Sequence, residues 1–76
     1  TTIRYDIPEQ ALVRIDIYNI LGQKVAVLAE GLHEPGFHAV RWNGTNMYGN
    51  ALSSGMYFYH IQAGDFRNVK KLLLVK

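Results

Sequence analysis

The sequence predicts an all-β antiparallel sandwich, and three observations predict it. Apolar and polar residues alternate with a period of two in one segment after another. Turn-forming residues punctuate those segments at short intervals. No window carries the 3.6-residue apolar stripe of a helix; AVLAEGL comes nearest, and Gly31 and then Pro35 cut it short.

Taken in order, TIRYDI sets Ile3, Tyr5 and Ile7 against Arg4 and Asp6, and Pro8, which has no ladder donor, ends the strand. LVRIDIY places Val13, Ile15 and Ile17 on one face, with Arg14 and Asp16 on the other. NILGQ follows as a turn, with Gly22 free to take a positive φ, and KVAVLA is the partner strand. EGLHEPG reads as a loop closed by the turn dipeptide Pro35-Gly36. FHAVRWN resumes alternation with His38, Val40 and Trp42 on one side, and a loop runs from Gly44 to Ser54. GMYFYHIQ turns through AGD into FRNVKKLLLVK, which closes the chain. Strands are expected near residues 2–7, 12–18, 24–29, 37–43, 56–62 and 66–75. The expected core is Ile3, Tyr5, Val13, Ile15, Ile17, Val25, Val40, Trp42, Tyr57, Tyr59, Ile61, Leu73 and Val75. No internal repeat is read among the strand pairs.

Length and composition narrow the function. A chain of 76 residues is one domain, spanning 1–76. It buries only about 60% of its unfolded surface, so the core is thin. With no cysteine, neither a disulfide framework nor a thiolate metal site supports it. The eight basic residues are scattered apart from Lys70-Lys71 and Lys76, which speaks against a nucleic-acid-binding face. No apolar run reaches the roughly 18 residues of a membrane span. The chain opens on Thr1-Thr2 rather than Met, so the expectation is a terminal module cut from a longer protein.

No catalytic, cofactor or metal site is expected. His33, His38 and His60 lack the HxH or HxxxH spacing that would bring zinc ligands together, and His33 is placed in a surface loop. Ser53 and Ser54 precede Gly55 without the strand-to-helix setting of a nucleophile elbow, so they read as turn formers. Asp6, Asp16 and Asp65 fall on polar strand faces or in turns, where solvated charge is the default. Trp42, Tyr57 and Tyr59 alternate as core residues do, while Tyr18, Tyr48 and Phe58 lie off that face and keep a carbohydrate-binding role open.

Three pieces in order carry a resemblance: Ile17-Tyr18-Asn19 with Leu21-Gly22-Gln23-Lys24-Val25, then Gly55-Met56-Tyr57, then the terminal Lys70-Lys71-Leu72-Leu73-Leu74-Val75-Lys76. Across essentially its whole length the chain resembles the C-terminal sorting domains of the type IX secretion system. The variant is the one similar to the Ig-like domain of flagellar hook-capping proteins. Residues 40–54, VRWNGTNMYGNALSS, stand where most sorting domains carry a Leu-Asp-Leu-Ser-like segment, and this longer Trp-Asn-Gly form is shared with the hook-capping type.

The resemblance implies a small immunoglobulin-like antiparallel sandwich of six to seven strands. It also implies a non-catalytic tag that directs a parent cargo domain through the outer-membrane secretion machinery, with a sortase-like protease acting afterwards. The protein would then pass through the periplasm to the cell surface. The alternative is a structural Ig-like module of a surface or flagellar assembly. On the sorting reading, Lys70, Lys71, Leu72, Leu74, Val75 and Lys76 form the export-recognition strand, with Leu72 or Leu74 exposed at an edge open to strand addition. Gly22, Trp42, Gly44, Gly55 and Tyr57 are architectural: Trp42 plugs the core and the glycines turn the chain around it.

Overall fold

The structure, a computed structural model, describes residues 1–75. Six strands follow in chain order: β1 (Thr2–Ile7), β2 (Ala11–Tyr18), β3 (Lys24–His33), β4 (Gly36–Arg41), β5 (Gly55–Ala63) and β6 (Phe66–Leu74). They form two antiparallel sheets, β1–β4 and the four-stranded β3–β2–β5–β6. This is the small β-sandwich that period-two alternation predicts, at the lower of the two strand numbers.

The core follows from which face each strand turns inward. On β2, in the middle of the large sheet, Val13, Ile15 and Ile17 are fully buried. Their in-register partners Ala63, Ile61 and Tyr59 on β5 point the same way. Ile3 and Ile7 of β1, with Trp42 just beyond β4, cover them from the small sheet. Burying a branched aliphatic side chain contributes about 1.5–3 kcal/mol, so this layer supplies much of the stability of a cysteine-free domain.

Strand positions fall within two residues of expectation except at the end of β3. The segment read as a loop continues the ladder, with Leu12 opposite Leu32 and Ala11 opposite His33. Two register shifts let it do so: Leu28 and Val25 are extra residues on β3 between pairs made by Ile15/Asp16 and Ile17/Tyr18.

Strand β6 corrects the expected facing. Leu72 is 7% exposed while Leu73 is 63% exposed, and Leu74 is buried while Val75 is open. Register decides this, because Leu72 stands opposite the buried Tyr57 and Leu74 opposite Gly55, and residues paired across strands share a face. Three consecutive leucines offer no alternation from which to read the phase. Leu72 and Leu74 are therefore core residues, joined by Ile7 and Ala26, while Tyr5, Val25, Val40 and Tyr59 pack half-buried at the margin.

Asp16 also departs from expectation. It is buried on the outer side of β2, and both its oxygens accept from Arg14 Nε at 3.0 and 3.1 Å. That hydrogen bond, ahead of the simple charge attraction, raises the Arg14 guanidinium above its ordinary value.

Candidate functional site

The two ends of the sandwich are built differently. At one end NILGQ joins β2 to β3. Asn19 Oδ1 accepts the N–H groups of Leu21 and Gln23, both at 3.0 Å. Gly22 N–H donates to the Asn19 carbonyl and Asn19 N–H to the Gln23 carbonyl, again at 3.0 Å. Within the loop before β5, NMYGN repeats the pattern bond for bond. Asn46 Oδ1 accepts from Tyr48 at 2.9 Å and Asn50 at 3.0 Å, Gly49 N–H donates to the Asn46 carbonyl, and Asn46 N–H to the Asn50 carbonyl. Gly22 and Gly49 have φ of +82° and +84°, a region closed to most side chains. The sequence thus holds a repeated Asn-x-x-Gly-polar turn that reading by strand pairs misses.

The two turns sit side by side. Met47 N–H donates to the Val25 carbonyl at 2.9 Å, and a groove of about 340 Å³ lined by Asn19, Ile20, Val25, Leu52 and Met56 lies between the first turn and the segment that leads into β5. Each turn lifts two apolar side chains from its middle positions, Ile20 and Leu21 at 72% and 78% exposure, Met47 and Tyr48 at 52% and 81%.

Trp42 anchors this end from within. The buried indole meets the Tyr57 ring edge-on at 5.1 Å, and its Nε1–H donates to the Thr45 carbonyl at 3.0 Å. Tyr57 O–H donates to the Ser53 carbonyl at 2.7 Å, so the one polar atom on each ring is paired. The buried Gly44 accepts Leu52 N–H through its carbonyl at 2.8 Å, and Gly55 opens β5. The architectural residues named from the sequence therefore converge on one end.

The residues assigned to export recognition do not form one surface. Lys70 and Lys71 are exposed on opposite faces of β6, Leu72 and Leu74 are in the core, and Val75 is exposed just past the strand. Lys76 lies outside the described residues. What β6 does offer is an open edge, because among the described residues β5 alone pairs with it.

The outer face of the large sheet is more apolar than an antiparallel sheet's solvent side should be. Register aligns Tyr18 with Phe58, Phe58 with Lys71, Met56 with Leu73 and His60 with Val69. Tyr18, Ile20, Phe58, His60 and Val69 line an open hollow of about 420 Å³. Trp42 and Tyr57, being buried, offer no sugar-stacking platform.

At the opposite end His33 and His38 meet edge-to-face at 5.1 Å, and Tyr5 stacks on His38 at 5.4 Å. His33 is thus a half-buried strand residue rather than a loop residue. Its Nδ1–H donates to the Gly31 carbonyl at 3.1 Å, while His38 Nε2–H donates to the Glu34 carbonyl at 2.7 Å. Burial pushes the Tyr5 phenol up. Among the described residues no group of three or more His, Cys, Asp or Glu side chains stands close enough to hold a metal ion. No helix among them is long and apolar enough to cross a membrane.

The family model of the FlgD Ig-like domain matches residues 1–65, which covers β1 to β5 and stops short of β6. No curated protein and no solved structure matches the chain.

Proposed function

The chain belongs to the FlgD Ig-like domain family, and from that premise we propose that it is a non-catalytic structural module of a flagellar or cell-surface assembly. It docks on a protein subunit of that assembly through the outer face of the four-stranded sheet. The observation that carries this is the row of Tyr18, Met56, Phe58, Val69 and Leu73 on a face that water alone would not keep apolar. Such a face gains from a partner that covers it.

The test is a reporter fused to residues 1–76 and expressed in a flagellated host. The fusion is expected in the sheared hook and surface fraction, and Phe58→Asp with Leu73→Asp is expected to release it. A fusion that stays soluble with or without those changes overturns the reading.

A second reading has its own observation. Strand β6 lies beyond the family match, and its open edge carries exposed Lys70 and Lys71. This supports a sorting signal, read by the type IX outer-membrane machinery through strand addition and followed by a sortase-like protease. The protein would pass through the periplasm to the cell surface. In a host with that apparatus, the intact fusion would reach the surface and Lys70→Ser with Lys71→Ser would hold it in the periplasm. Retention of the intact fusion in the periplasm leaves the structural module as the function.

A further inference from the structure

We infer that the end of the sandwich formed by the two Asn-x-x-Gly turns is a membrane-contact site that seats on an anionic lipid surface. Three observations meet there. The first is shape: Ile20, Leu21, Met47 and Tyr48 stand at the middle of two adjacent turns, each largely exposed. Three are aliphatic and the fourth is a tyrosine, a side chain whose ring and hydroxyl suit the boundary between acyl chain and headgroup.

The second is hydrogen bonding. A loop that enters a water-poor layer must bring its backbone N–H groups already paired. Here Leu21, Gly22, Gln23, Tyr48, Gly49 and Asn50 all donate within their own turns, chiefly to Asn19 and Asn46. Protein-docking loops have no such need, because a partner supplies the missing acceptors.

The third is charge. The chain's six acidic side chains are Asp6, Glu9, Asp16, Glu30, Glu34 and Asp65, so residues 17–29 and 35–64 carry none. Glu9 and Asp65 share a hollow at the far end, where Gln10 Nε2–H donates to Glu34 at 3.1 Å. Asp16 is taken up by Arg14. The apolar end is flanked instead by exposed Lys24, which pairs with Tyr18 across the ladder, and by exposed Arg41, which pairs with Thr2 and precedes Trp42. Cations with no competing carboxylate complement a negatively charged surface, and each contributes to binding only within a Debye length of it. The inference goes beyond the docking reading, which uses the sheet face, and either stands without the other.

The experiment is flotation of the full chain with vesicles of equal parts phosphatidylglycerol and phosphatidylcholine, against vesicles of phosphatidylcholine alone. Binding is expected to the anionic vesicles, to weaken as salt is raised, and to be far weaker on the neutral ones. Leu21→Asp and Tyr48→Asp are each expected to lower partitioning about tenfold, and Lys24→Gln about fivefold. Leu12→Asp, at an exposed position near the acidic end, is expected to change nothing. Near-ultraviolet circular dichroism of the Trp42–Tyr57 pair confirms that each variant is folded. No flotation with anionic vesicles, binding indifferent to lipid charge, or equal loss in Leu12→Asp overturns the proposal. So does a lipid-free dimer that Leu21→Asp dissociates, which would give this end to a second copy.

Discussion

The two ends of this sandwich solve the same problem, reversing the chain between strands, by opposite means. The end holding Trp42 invests its turns with side-chain acceptors: Asn19, Asn43 and Asn46 each accept backbone N–H groups, and a buried indole sits beneath them. The other end uses short links with exposed carboxylates, among them the two-residue Gly64-Asp65 turn from β5 to β6. The first end presents apolar side chains on turns in which the N–H groups of Leu21, Gly22, Gln23, Tyr48, Gly49 and Asn50 are paired; the second presents charge. A domain with a thin core has little stability to spare, so elaborate turns at only one end suggest that this end is held in shape for contact.

Substitutions should break that asymmetry in order of depth. Trp42→Ala removes the indole with its edge-on contact to Tyr57 and its hydrogen bond to the Thr45 carbonyl, at an expected cost of about 3–5 kcal/mol in urea unfolding. Against the roughly 4–11 kcal/mol typical of a domain this size, that is close to unfolding it.

Strand β6 runs between the ends, so its inward-facing residues sample both. Leu72→Ala, near the Trp42 end, is expected to cost about 2–4 kcal/mol. Phe66→Ala, at the acidic end where the ring is 58% exposed, is expected to cost under about 1 kcal/mol despite the larger side chain. A reversed order would mean that the cover over β6 is misplaced.

Smaller effects test the turns themselves. Asn19→Ala and Asn46→Ala each leave two N–H groups without their acceptor. In exposed turns that water reaches, each should cost about 1–2 kcal/mol. Asn19→Ala should cost slightly more, by up to about 0.5 kcal/mol, because it also loses the exposed Nδ2–H bond to Gln23 Oε1, and a larger difference would show that the turns are not equivalent. Smallest of all, Glu34→Ala removes one exposed hydrogen bond to Gln10 at the acidic end and should stay within about 0.5 kcal/mol of the parent.

Much of this was legible in the sequence, and what was not has physical reasons. Alternation located all six strands, because each has one buried face and a period of two. It placed Trp42 and Tyr57 in the core, and it placed the glycine turns. Alternation failed for β6, where Leu72, Leu73 and Leu74 satisfy either phase and only pairing with Tyr57 decides. It failed for the end of β3, where bulges at Leu28 and Val25 shift the register and conceal the strand's continuation. Asp16 looked solvated because a lone strand shows its polar face without showing that Arg14 and the neighbouring strands cover it. The apolar outer face required the sheet order, since Tyr18, Phe58 and Val69 belong to three strands. The matched turns were readable in principle as N-x-x-G, yet their adjacency depends on the Met47–Val25 hydrogen bond, which no local pattern reports.

The apolar end is a preformed platform and the acidic end is not. Backbone ¹⁵N relaxation with amide hydrogen exchange on the intact chain tests this difference most directly. Order parameters of about 0.85 are expected for Leu21, Gln23, Tyr48 and Asn50, as in the strands, with slowed exchange at these amides despite their exposed side chains. Glu9, Glu34 and Asp65 should be distinctly more mobile and exchange freely. Mobility in the Asn19 and Asn46 turns equal to that of the acidic end would contradict it.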